Sequence, residues 1–428
     1  MHPPSSKGTQ SRRRWIQFAF VAFCLFALDM SGLWGWLWPF SNSPPDLSSA
    51  SITVGDTLLE KLRKEYNYPG LAAASSRHGD FSSAVTGLRR IGASLKITKD
   101  DQFHLASNTK AMTATTFAIL VQAGHLRWDS TLEEAIPSLA DSMAEEHKST
   151  TIKMLTSHRS GLDIDWAADT PFYESLYRPD ISPKQGRWLM VQKALTQSPA
   201  RTKGKFCYDN TNYLITAAII ELITGSTWED FVQTRIFEPL GMQHTGFGPN
   251  DETNVTSICN PWPHRWVSEP YGAAEPVSDV DFDHRDKPPA FNPAARVHAP
   301  MAQYNKFLQA HIDGVNGLDT PLGLSQEMFK FLHTPYADDD IYTPGGWHCQ
   351  RRNPDGSVYS ISHPGSNRYN YVVAYAVIGN GGGGGGGEED REGTYMVMTN
   401  IGGLGVGDGL RKIADDLIDG RLTLFSHG

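Results

Sequence analysis

Leu58, Leu59, Leu62 and Tyr66 recur at helical spacing and predict a helix over residues 54–66. The pattern then shifts: Gly70 to Ser76 and Phe81 to Leu88 read as two strands around a turn at Arg77-His78-Gly79-Asp80. Helical patterns return over 107–123, 187–197, 211–223 and 226–238, and a Pro-rich stretch from about 250 to 300 predicts irregular structure. Strand patterns resume at Val358 to His363, Tyr369 to Ile378 and Thr394 to Asn400, followed by a last helix near 408–420. Strands, then helices, then strands again indicate an α+β fold: one antiparallel sheet flanked by helices, with a mainly helical lobe inserted. The expected sheet lobe covers about 52–106 and 300–428, and the helical lobe about 107–299. The run Gly381 to Gly387 joins two strands and reads as a hairpin tip; without a strand–turn–helix context it is no dinucleotide loop.

The first 45 residues follow a different pattern. Arg12-Arg13-Arg14 precede an apolar run, Phe18 to Leu28, and a Trp-rich stretch, Leu33 to Trp38. Trp15 to Trp38 spans 24 residues, enough to cross a bilayer as a helix. Asp29 at its middle would cost about 3 kcal/mol on insertion scales. This predicts a single-pass anchor with a cytosolic basic tail, residues 1–45, and a lumenal or extracellular catalytic body, residues 46–428. The alternative is a cleaved signal peptide and a secreted protein, although no small-x-small cleavage site closely follows the apolar run. The Asn254-Val255-Thr256 glycosylation acceptor fits either placement.

The whole chain, 428 residues with a net charge of −9, is long enough to bury a sizeable core without disulfides or metals. The N-terminal segment carries +3, so the body is acidic at −12, which argues against a nucleic-acid surface. Cys24, Cys207, Cys259 and Cys349 stand far apart without zinc spacing, and the three of the body read either as free thiols or as one disulfide and an odd thiol. Asp279, Asp281 and Asp283 mimic the start of a calcium loop, but His284 and Ala290 occupy the positions that need glycine and glutamate. No metal and no cofactor is expected.

Candidate chemistry rests on Ser107-Asn108-Thr109-Lys110, the single Ser-x-x-Lys in the chain. Composition alone predicts about one such tetrad, so its context matters more than its occurrence. Ser107 opens a mostly apolar helix stopped by Gly124, and three residues later Lys110 shares its face. A helix N-terminus favours an oxyanion, and burial would lower the lysine pKa until the amine accepts a proton. An N-cap serine followed by an exposed lysine has the same spelling. Tyr208-Asp209-Asn210 precedes the helix 211–223, and His363-Pro364-Gly365-Ser366 ends a predicted strand. These could supply a proton partner, a substrate-holding amide and a backbone N–H.

The triple Ser-x-x-Lys, Tyr-x-Asn and His-x-Gly resembles the serine penicillin-recognising enzymes of the class C β-lactamase type. That group includes D-Ala-D-Ala carboxypeptidases, D-aminopeptidases, esterases and fungal transesterases. Phe103 to Ser107, Leu155 to Leu162, Pro239 to Met242 and Pro293 to Leu308 also read like family segments in order, extending the resemblance over roughly 52–420. It implies an acylated Ser107, a proton-shuttling pair of Lys110 and Tyr208, and a substrate-positioning Asn210. The implied oxyanion hole uses the backbone N–H groups of Ser107 and Ser366, with His363 and Gly365 bordering the substrate. His158 and Ser160 are implied to form a structural turn.

One departure is informative: His363-Pro364-Gly365 replaces the common Lys-Thr-Gly, so a titratable histidine stands where a lysine would clasp a carboxylate. The expected function is therefore a serine hydrolase cleaving a small-molecule ester or amide through an acyl-enzyme on Ser107. The alternatives are an acyltransferase that passes the acyl group to an alcohol, and a catalytically silent membrane-anchored binding protein.

Overall fold

Strands whose alternate residues are apolar on both faces need cover on both sides, and the fold supplies it. The computed structural model describes residues 52–53, 56–248, 261–268, 270–277, 286–337, 341–351, 359–379 and 391–424. The expected membrane segment, the acceptor Asn254, the acidic run 279–283, the glycine run 381–387, Cys24 and Cys259 lie outside these residues. Among the described residues no helix is long and apolar enough to cross a membrane.

Strands β1 (Gly70–Arg77) and β2 (Asp80–Gly87) form a hairpin. Its two turn residues, His78 and Gly79, have φ of 51° and 87°, the positive values that a tight hairpin turn demands. Four C-terminal strands follow: β3 (His348–Arg351), β4 (Tyr359–Ser366), β5 (Tyr371–Ile378) and β6 (Gly393–Thr399). All six build one antiparallel sheet in the order β2-β1-β6-β5-β4-β3. The two strand groups meet where β6 pairs with β1, from Gly393 opposite Arg77 to Thr399 opposite Leu71.

Two cores lie on opposite faces of the sheet. Leu71, Ala73, Val373, Tyr375, Val377, Tyr395 and Val397 pack on helices α1 (Asp56–Glu65) and α7 (Val406–Ile418) through Leu59, Leu62, Leu410 and Ile413. Ala72, Ala74, Ile361, Val372, Ala374, Met396 and Met398 belong to the other cluster. That cluster includes α2 (Thr109–Gln122), α3 (Pro183–Leu195), α4 (Thr211–Thr224), α5 (Met301–Val315) and α6 (Gln326–His333). Helix α2 is buried on every side from Thr109 to Leu120. Its threonines remain satisfied: the Thr113, Thr115 and Thr116 hydroxyls donate to the carbonyls of Pro293, Ala111 and Thr113 at 2.7–2.8 Å.

Several elements differ from the sequence-based expectation. Helix α3 starts at Pro183, ahead of the expected 187, because Ser182 and Gln185 form a capping box around it. The helix expected over 226–238 is α-helical only at Trp228–Val232 and continues as a π-turn to Phe237. Helices α5 and α6 and strand β3 were not anticipated. Within the region expected to be irregular, Val297–Ala299 forms a strand between Phe103–His104 and Gly246–Phe247. This short sheet leads directly into the Ser107 turn.

Leu410 is fully buried between α7 and the sheet. Leu410→Ala is expected to cost about 2–5 kcal/mol, read as a lower denaturant midpoint with an unchanged slope.

Candidate active site

Ser107 sits half-buried in a single 3-10 turn, Ala106–Asn108, that runs into α2. Ala106 has φ of 46°, a left-handed conformation that costs an L-residue about 1–2 kcal/mol. Neighbouring groups hold it there. Leu105 N–H donates to the Val297 carbonyl at 2.8 Å, and Ala106 N–H donates to His104 Nδ1 at 3.0 Å. Buried Asn108 donates to the Leu105 carbonyl at 3.1 Å and accepts from the Tyr304 hydroxyl at 2.8 Å. Sequence reasoning missed the roles of Asn108 and Tyr304, which join segments 196 residues apart.

Lys110 is completely buried. Its Nζ lies 3.2 Å from Ser107 Oγ, 2.7 Å from Asn210 Oδ1 and 2.8 Å from the Ala294 carbonyl oxygen. It also sits 4.8 Å from the centre of the Tyr208 ring. The loop at Gly346 seals it in: a Cβ there would come within 3.0 Å of the Lys110 backbone and 2.9 Å of the Tyr213 hydroxyl. Burial, reinforced by repulsion from Lys287 and only partly opposed by Asp209, pushes the Lys110 pKa well below its ordinary value. The exposed lysine of the alternative reading is thereby excluded.

Tyr208 and Asn210 flank Asp209 just before α4. The buried Asp209 carboxylate accepts the N–H groups of Thr211 and Ile164, both at 2.6 Å, and this fixes its two neighbours. The Tyr208 ring packs on buried His158, with centroids 4.2 Å apart. Burial raises the Tyr208 pKa, only partly offset by the neighbouring Ser107 hydroxyl, and keeps the phenol protonated. His158 Nδ1 accepts the Asp209 N–H at 3.2 Å, and the Ser160 hydroxyl donates to Asn212 Oδ1 at 2.6 Å. Both residues therefore brace the tyrosine segment.

The end of β4 closes the other side. A Cβ on Gly365 would lie 2.4 Å from the Leu105 carbonyl oxygen and 2.7 Å from Asn108 Nδ2, so only glycine lets the strand rest against the Ser107 turn. Ser366 is exposed at the strand end, where its hydroxyl accepts the Arg368 N–H at 3.1 Å. His363 is buried. Its Nδ1–H donates to the Pro364 carbonyl at 2.6 Å, which leaves Nε2 to accept from the Tyr342 hydroxyl at 3.1 Å. Burial, with His348 and Lys110 nearby, holds its pKa well below the usual value. The titratable cation expected at this position is thus a neutral ring engaged with tyrosine. All seven residues singled out from the sequence line one region, in which a hydroxyl faces an amine held short of protonation. Among the described residues no cluster of side chains could hold a metal ion.

Residues 56–414 match the family model described as Beta-lactamase. The chain is 29% identical to penicillin-binding protein 4 of Amycolatopsis lactamdurans over 75% of this chain and 81% of that protein. Two solved structures share the fold. The octameric penicillin-binding protein homologue from Pyrococcus abyssi superposes with a TM-score of 0.63 at 19% identity, over 85% of this chain and 75% of that one. The D-amino acid amidase from Ochrobactrum anthropi SV3 gives 0.62 at 20% identity, over 85% of this chain and 95% of its own. With the family model matched across almost the whole body, the chain belongs to the β-lactamase family.

Proposed function

We propose that the protein is a serine hydrolase that cleaves a small ester or amide through an acyl-enzyme on Ser107. The observation that carries this reading is the set of partners around Lys110. A neutral amine has two N–H donors and one lone pair. Asn210 Oδ1 and the Ala294 carbonyl oxygen accept the two N–H groups, and the remaining direction faces the Ser107 hydroxyl. The lone pair can therefore take the serine proton as the oxygen attacks.

Lys110 is the better base of the proton-shuttling pair, because burial favours its neutral form and keeps Tyr208 a neutral phenol. Tyr208, whose ring lies 4.8 Å from Lys110 Nζ, then relays the proton from Lys110 to the departing alcohol or amine. Water attacks the acyl-enzyme with the same groups acting in reverse. The backbone N–H groups of Ser107 and Ser366 would hold the oxyanion, an arrangement typically worth about 3 kcal/mol per donor. The neutral His363 supports an acyl donor without a carboxylate at that point. The likeness to a D-amino acid amidase fits such a donor.

Ser107→Ala and Lys110→Arg are both expected to reduce turnover of a small activated ester to background while leaving the thermal melt unchanged for the serine variant. Intact mass should show an acyl adduct on the wild type that Ser107→Ala lacks. The proton-free amine is the active form, so kcat/KM should rise with pH through the Lys110 pKa and level off far below pH 10.5. A limb centred at the ordinary lysine value would remove Lys110 as the base. Gly365→Ala pushes β4 off the Ser107 turn and should lower kcat by about 10²-fold.

A further inference from the structure

Ser107 and Ser366 belong to different segments, which touch at Gly365 by packing alone. One carboxylate is bonded to both sides. Asp286 Oδ2 accepts from His104 Nε2 at 3.1 Å and from Arg296 Nε at 3.0 Å, and Oδ1 accepts from Asn367 Nδ2 at 3.3 Å. The His104 and Asp286 side chains are only 9% and 10% exposed. On the first side, His104 Nδ1 accepts the N–H of Ala106, the left-handed residue before Ser107. A ring nitrogen that accepts carries no proton, so the His104 proton is on Nε2 and points at the carboxylate. On the second side, Asn367 follows Ser366, and its Oδ1 accepts the N–H groups of Tyr369 and Asn370 at 3.2 and 2.9 Å, closing the turn after β4.

Asp286 is itself anchored. Arg296 Nη1 donates to Asn292 Oδ1 at 3.2 Å, and Asn292 Nδ2 donates to Glu229 Oε1 at 2.9 Å. Glu229 accepts in turn from Arg187, which is fully buried, at 3.0 Å. The carboxylate thus stands at the end of a hydrogen-bonded chain running into the helical core.

We propose that Asp286 and His104 are positioning residues of the acylation site. The carboxylate selects the His104 tautomer that anchors the Ala106–Ser107 peptide, and through Asn367 it holds the turn after Ser366, which sets the gap between the two backbone donors. This rests on the acyl-enzyme reading above. The roles are separable from general support of the fold because each bond has a defined donor and acceptor.

In Asp286→Asn, one of the two oxygens becomes an NH₂ group, which meets either His104 or Asn367 donor to donor in whichever way the amide turns. With a small activated ester, kcat should fall about 10²-fold while KM stays close to wild type. Two variants at His104 separate anchoring from bulk support. His104→Asn places a carbonyl oxygen near the site of Nδ1 and keeps an acceptor for Ala106. His104→Gln reaches Asp286 and offers Ala106 nothing. The asparagine variant should retain at least tenfold more kcat than the glutamine variant, with similar melting temperatures.

Equal kcat in the two His104 variants, or wild-type kcat in a folded Asp286→Asn protein, would overturn the positioning role alone. If Asp286→Asn does not fold, the His104 pair decides. A wild-type protein that gains no acyl mass on Ser107 from the same ester would instead overturn the acyl-enzyme reading, and the positioning role with it.

Discussion

The site depends on keeping one amine out of water, with neutral groups rather than a carboxylate as its hydrogen-bond partners. A buried ammonium carries a penalty of several kcal/mol, whereas a neutral amine with its donors satisfied carries little. Four separate stretches of chain meet that condition for Lys110: the turn into α2, Asn210 ahead of α4, the Ala294 carbonyl, and the sealing loop at Gly346. The burial of α2 on all sides follows from the same requirement, since a helix with one wet face could not enclose a lysine two positions from its start.

The sheet divides the work. Its back face, against α1 and α7, is closed by aliphatic and aromatic packing, with Arg77 bonded to the end of α7 and Thr86 to Glu60 of α1, and carries no group of the site. Its front face holds the helices that bear the chemistry, and the contact between front and sheet narrows at Gly365 to backbone against backbone. Close approach at that point makes β4 part of the site. His363 and Tyr342 then fill the space behind it as a neutral, hydrogen-bonded pair.

Much of this was legible in the sequence, for identifiable reasons. The Ser107–Lys110 spacing and the Gly124 stop are local signals, and the helix they define appears where expected, with Gly124 at φ of 80°. Tyr208, Asn210 and His363 to Ser366 offered suitable groups, but the family resemblance was what joined them to Ser107, because nothing local ties them to it. Helix α5 was missed because it buries polar residues: Asn305 and His311 interrupt its apolar stripe, and it follows a proline-rich stretch. Backbone groups such as the Ala294 carbonyl have no spelling in a sequence. The charge state of His363 was misjudged for a similar reason, since its burial depends on the distant Tyr342 and His348.

The order of strands also bears on how the protein is made. Leu71 in β1 finds its neighbour Thr399 in β6 only after nearly the entire chain has emerged. At typical synthesis rates the hairpin β1–β2 waits roughly 15–65 s with one edge unpaired. That edge runs through Leu71-Ala72-Ala73-Ala74, apolar on both faces. Closing so long a loop is slow in its own right, because the entropy is spent before the contacts form. The nascent chain therefore holds an apolar strand edge unpaired through most of its synthesis, and a shortened product lacking β6 would keep that edge open permanently. Folding helpers that shield a lone strand edge would act on this chain early, well before a competent Ser107 turn exists.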